Sequence, residues 1–135
     1  MMASALQTAL TGLAAAETAI SVIANNMANA QTAGFKASTV EFATQSVQTQ
    51  GLGAEPHEFN GGVNPIQIGR GVQVAGISTD NSPGPLDANG TELSNTDLVR
   101  SIVELKTASN LYGANLQVID TESQLLDELI RLNRR

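Results

Sequence analysis

Residues 6–35 read LQTALTGLAAAETAISVIANNMANAQTAGF, and their spacing decides the fold. Leu6, Leu13, Ile20 and Met27 recur every seven residues, with Ala9, Ala16, Ile23 and Ala30 between them. A 3-4 apolar seam of about four heptads follows. It predicts one long amphipathic helix that starts near Ala3 or Ser4 and closes by Ala33–Gly34, where glycine can take the left-handed conformation. Its last turns hold Asn25, Asn26 and Asn29, poor helix formers whose amides compete for backbone groups. Three such amides at one helix end are expected to bond backbone or side-chain groups, across subunits if the chain assembles.

Working outward, the same spacing returns near the C-terminus through Leu98, Ile102, Leu105, Tyr112, Leu116, Ile119, Leu126 and Ile130, broken by Ser109 and Ser123. Ser94 or Asn95 can cap this second helix, with Asp97 in its first turn. Running almost to the end, it would hold about 35 residues and reach roughly 50 Å. Neither stripe can bury itself on a lone helix. The fold class expected is therefore α+β, mainly α: N-terminal (1–35) and C-terminal (94–135) helices packed as an antiparallel, coiled-coil-like hairpin, with a small β-hairpin-rich segment (36–93) carried where they connect.

That connecting segment loses the 3-4 period, and glycine and proline punctuate it. Alternating runs predict strands at Thr39–Thr44, Ile66–Ile68 and Val72–Thr79. Gly69-Arg70-Gly71 would turn the second run into the third, and Asn89-Gly90 suits a two-residue hairpin turn. Pro56–Gly62 (PHEFNGG) reads as a loop.

At 135 residues the length suits one domain, yet its four aromatic residues, Phe35, Phe42, Phe59 and Tyr112, supply little bulk for a core. Alanine-rich helices approach closely but contribute little apolar area per residue, so an elongated protein is expected. The net charge of -6 and the lack of a basic face argue against nucleic acid as a partner. Arg131, Arg134 and Arg135 complement the dipole at the end of the second helix. Without cysteine there is neither disulfide nor thiolate metal site. The N-terminus lacks a charged leader followed by a continuous apolar run, so no cleavable secretory signal is expected, and no segment is read as transmembrane.

Chemistry is sparse. His57 lies beside Glu55 and Glu58, but one histidine with two flexible carboxylates lacks a closed ligand set, so no metal is assigned. Gly69-Arg70-Gly71 lacks the third glycine and following helix of a dinucleotide loop. Asp120, Glu122, Asp127 and Glu128 read as a solvated face. Nothing resembles a nucleophile held by a base; no catalytic residue and no cofactor is expected, and the chain is not read as an enzyme.

The run TALTGLAAAETAISVIANNMANAQTAGFKAS resembles the N-terminal signature of bacterial flagellar rod and hook proteins, centred on N-N-x-A-N-x-x-T-x-G-[FY]-[KR]. Here it is Asn25, Asn26, Ala28, Asn29, Thr32, Gly34, Phe35 and Lys36. Ser94-Asn95-Thr96-Asp97-Leu98 and Tyr112-Gly113-Ala114-Asn115 are similar to the family's C-terminal segment, whose common form is Y-x-A-N. Gly71-Val72-Gln73-Val74 and Ser82-Pro83-Gly84-Pro85-Leu86 look like the segment preceding the large β-domain of longer members. That β-domain is absent, so the chain is similar to the short rod subunits in length, while its first third looks more like the longer members.

The resemblance implies a structural subunit that passes through the flagellar type III export apparatus without a cleavable signal. It would polymerise with copies of itself and other rod and hook axial proteins into the rod of the basal body, the drive shaft crossing the periplasm. The residues expected to carry assembly are Leu6, Leu13, Ile20, Ile23, Asn25, Asn26, Met27, Asn29, Gly34 and Phe35 at one end. At the other they are Leu98, Ile102, Leu105, Tyr112, Asn115, Leu116, Ile119, Leu126 and Ile130. Head-to-tail contacts whose rotation does not close a ring give an open filament. Two other classes compete: a non-polymerising helical-hairpin adaptor or chaperone of the export system, and a peptidoglycan hydrolase, for which the chain supplies no catalytic pair.

Overall fold

The computed structural model describes residues 2–50 and 66–134; the His57 loop and Phe59 fall outside them. Helix α1 (Met2–Ala28) leads into strands β1 (Ser38–Thr44), β2 (Gln48–Gln50), β3 (Ile66–Ile68) and β4 (Val72–Thr79), and helix α2 (Leu98–Asn133) closes the chain. The architecture is mainly α, two long helices with small antiparallel strand pairs between them.

The helices run antiparallel. Gly12 faces Asn115, while further along α1 Ala19 and Ile23 pack on Ala108, joined by Ile20, Met27 and Leu105. The buried stripe on α1 is Ala9, Ala15, Ala16, Ala19, Ile23 and Asn26, a set of mostly small residues. Leu6, Leu13, Ile20 and Met27, the large half of the expected seam, are only half-buried. The smaller residues win the inner face because two neighbours, α2 and the β ribbon, both close on α1. A Cβ on Gly12 would lie 2.7 Å from the Asn115 amide, so a larger residue there would have to turn that side chain aside.

α1 stops at Ala28 rather than near Ala33. Residues beyond it continue as successive turns, closed by Ala30 N–H to Met27 O, Thr32 N–H to Asn29 O and Phe35 N–H to Thr32 O. Gly34 then exits with φ +68. At the start of α2 the cap is Asp97, whose carboxylate accepts from Arg100 N–H at 3.0 Å. Ser94 and Asn95, the expected caps, are used elsewhere.

The strands form one ribbon. β1 pairs with β4, and β2 with β3. Thr44 lies opposite Val72 and Gln48 opposite Ile68, four residues on along one arm and four back along the other. The register is thus unbroken, and Gln45 N–H donating to Gly71 O bridges the gap. Gly69-Arg70-Gly71 therefore does not turn β3 onto β4. It is an interruption between two strands on the same arm. A register shift between Glu41 and Phe42 leaves Ala75 as a bulge.

The ribbon does not sit at the end of the hairpin as expected; it folds back along α1. Ser38 is tied to Asn26 near the end of the helix, and Val72 to Thr11 in its first half. Fifteen helical residues and one seven-residue strand both cover about 22 Å, so the pair runs in step. A two-stranded ribbon alone is marginal in water, and α1 supplies its missing layer. The Asn89-Gly90 turn also differs from expectation. Only Gly90 has positive φ (+79), so the loop is the three-residue type, with Gly90 N–H to Asp87 O and Asp87 N–H to Thr91 O.

Contrary to the sequence reading, the 25 residues Ser4–Ala28 are long and apolar enough, by length and composition alone, to cross a membrane, with an 18-residue window of mean hydropathy 1.3. Its hydropathy comes mostly from Leu6, Leu10, Leu13, Ile20, Val22 and Ile23, while the residues it buries against the rest of the chain are mainly Ala9, Ala15, Ala16 and Ala19.

Candidate assembly site

The polar motif residues of both chain ends meet where α1 gives way to β1. Asn26 is buried at 6% exposure and reads the backbone of Ser38 like a paired strand: Nδ2 donates to Ser38 O at 2.6 Å, and Oδ1 accepts from Ser38 N–H at 2.9 Å. Both amide groups find partners within the chain, whereas bonds across subunits were expected. Asn29 Nδ2 donates to Asn25 O and Oδ1, and Thr32 Oγ1 donates to Asn29 Oδ1. The three asparagines thus divide their work. Asn26 aligns β1, while Asn25 and Asn29 satisfy the frayed helix end.

Asn95, one helix turn ahead of α2, ties three segments together. Its Oδ1 accepts from Ala37 N–H at 2.7 Å, and its Nδ2 donates to Asp80 O and Ser82 O. Alongside it the Lys36 ammonium pairs with the Glu92 carboxylate and donates to Ser82 O. The same carboxylate accepts from Gly84 N–H at 2.7 Å. These bonds hold the Glu92 carboxyl below its ordinary pKa, the Lys36 bond first and the Gly84 amide second. Asp80 is also lowered, chiefly by its bond to Ser82. A Cβ on Gly84 would lie 2.1 Å from Leu93 O, so glycine lets these strands of chain touch. A second lock joins ribbon to helix at the other end. Gly71 takes φ +96 against Thr11, whose Oγ1 donates to Thr8 O and accepts from Val72 N–H.

The roles of Lys36, Gly71, Gly84, Glu92 and Asn95 were not predicted. Lys36, Gly71, Gly84 and Asn95 lay inside the motifs quoted for the resemblance, but partners up to 61 residues apart leave no periodic trace in sequence.

The apolar residues split differently. Ile20, Ile23, Met27 and Leu105 pack together within the chain, and Asn115 packs on Gly12. Leu6, Leu13, Phe35, Tyr112 and Ile119 are half-buried. Leu98, Ile102, Leu116, Leu126 and Ile130 face outward at 45–53% exposure, and Gly34 and Asn25 are exposed. α2 is apolar on its outside as well as its inside: exposure runs from 42% at Val118 to 73% at Val99. The largest apolar residue in the buried set is Ile23.

Comparison with known proteins agrees with both halves of this arrangement. Residues 6–36 match the family model for flagella basal body rod proteins, and residues 89–132 the model for the C-terminal region of flagellar basal body rod FlgEFG proteins. The flagellar basal-body rod protein FlgC of Borreliella burgdorferi is 32% identical, over 90% of this chain and 91% of its own length. The chain belongs to the flagellar basal-body rod and hook protein family. It is 38% identical to the flagellar hook protein FlgE of Treponema pallidum over 72% of this chain, and 36% identical to the flagellar basal-body rod protein FlgG of Agrobacterium fabrum over 66%. It spans only 20% and 35% of the lengths of those two relatives. The family is a structural component of the flagellum. The family-model matches end at Lys36 and resume at Asn89, so they take in Asn26, Lys36, Glu92 and Asn95 but leave out the ribbon.

Proposed function

We propose that this chain is a short structural subunit of the flagellar basal-body rod, polymerising through α1 and α2 into the axial drive shaft with copies of itself and other rod and hook proteins. It reaches that site through the flagellar type III export apparatus. The observation that carries the reading is the uncovered apolar face of α2, from Leu98 to Leu132. A lone protomer leaves this face in water, and burying it at about 25 cal/mol per Å² drives association. Asn26, Lys36, Glu92 and Asn95 then act beneath the assembly surface, fixing the angle at which the ribbon leaves the helices.

A tagged copy in its native host tests this. It should sediment with purified basal bodies and resist washing, and its deletion should leave cells without a completed rod and non-motile. Recovery only in the cytoplasm, bound to export components, would instead establish the adaptor reading.

A further inference from the structure

Between α2 and the ribbon, α1 forms the floor of an apolar groove of about 650 Å³. Gly12, Ala16 and Ala19 make the floor, with Val103 and Leu111 of α2 on one side and Val40 and Phe42 of β1 on the other. Glu104 is the one charged side chain on its wall among the described residues, and it is already paired with Arg100. Small floor residues leave room for a helix to enter.

The chain also carries an element of matching chemistry. Counting outward from the Gly12–Asn115 contact, the start of α1 at Met2 falls opposite Leu125. The last eight residues of α2, about 12 Å, therefore run beyond α1. Leu125, Leu129 and Leu132 recur at i, i+4 and i+7, with Leu126 and Ile130 beside them, all 46–60% exposed. That is the anchor spacing of a helix laid into a groove. It cannot reach its own groove, because Leu129 lies eighteen residues along an unbroken helix from Leu111, about 27 Å away.

We propose that this groove receives the C-terminal end of α2 from a second copy of the chain. The contact is heterologous, groove of one protomer with tail of the next, and so propagates rather than closing a dimer. The inference rests on the self-assembly reading and adds to it which surfaces meet.

Val103→Asp spoils the groove and Leu129→Asp the tail, both at exposed positions (60% and 48%), so helical content should be retained. In analytical ultracentrifugation, wild-type protein should self-associate, and each variant alone should associate at least tenfold more weakly. Mixed, the two variants retain one good groove and one good tail, and should form a discrete 1:1 heterodimer that grows no further. As the chain has no cysteine, Val40→Cys and Leu129→Cys proteins should form the matching mixed disulfide. Variants that associate like wild type, or a mixture that stays monomeric, overturn the groove assignment while leaving self-assembly intact. Wild-type protein that stays monomeric at all concentrations overturns both.

Discussion

Asn26 shows how one side chain can set the geometry of a whole molecule. Its amide satisfies both backbone groups of Ser38, and an alanine there would leave them without that partner. Asn26→Ala should cost about 1–3 kcal/mol, read as a fall in melting temperature. Asn29→Ala should cost clearly less, because its bonds stay within one exposed turn. Gly84→Ala should destabilise by about 1–3 kcal/mol as well, since the new Cβ would press on the rigid backbone of Leu93. Equal melting temperatures for all three would contradict the view that Asn26, Lys36, Gly84, Glu92 and Asn95 clasp the two chain ends together. The clasp is also sensitive to acid, and the sign follows from Glu92. Its pKa in the folded state lies below the ordinary 4.5, so the folded protein binds that proton more weakly than the unfolded chain. Its contribution is complete above pH 4.5 and is lost as pH falls through the lowered value. Melting temperature measured from pH 7 to pH 3 should fall less steeply for Glu92→Gln than for wild type. Parallel curves would remove Glu92 from the account.

At the scale of elements, α2 and the ribbon behave differently. α2 has its own start signal, and Asp97→Ala should lower stability by about 0.5–2 kcal/mol through loss of the cap. Gly113 sits inside α2 with open space where a Cβ would go, so Gly113→Ala should stabilise the free protomer by about 1 kcal/mol. The far end of α2, without α1 beside it, should fray on dilution, and circular dichroism should show less helix in dilute protein than in the assembled form. Both helices and three of the strands were legible in sequence, because apolar period and turn residues are local signals. The course of the ribbon was not. Its register depends on pairings between Ser38–Gln50 and Ile66–Thr79, and its place along α1 on single bonds such as Val72 N–H to Thr11. Nor was the inner face of α1 legible, because Leu6 and Leu13 outweigh Ala9 and Ala16 in any apolar count although the alanines are the ones buried.

For the molecule as a whole, the central claim is that a protomer with polar bonds at its waist and apolar surface along its length is one repeat of a tube. Two bonds, Asn26 to Ser38 and Asn95 to Ala37, should survive assembly, since they fix the protomer internally. The outer face of α2 should change most, from exposed to buried. The measurement that tests this most directly is a cryo-electron microscopy map of the basal body from the native host. The account predicts repeated copies of this chain in the rod, with α1 and α2 lining the shaft, the face from Leu98 to Leu132 against neighbouring subunits, and both bonds intact. A rod lacking this chain, or one in which the α2 face remains in solvent, would contradict it.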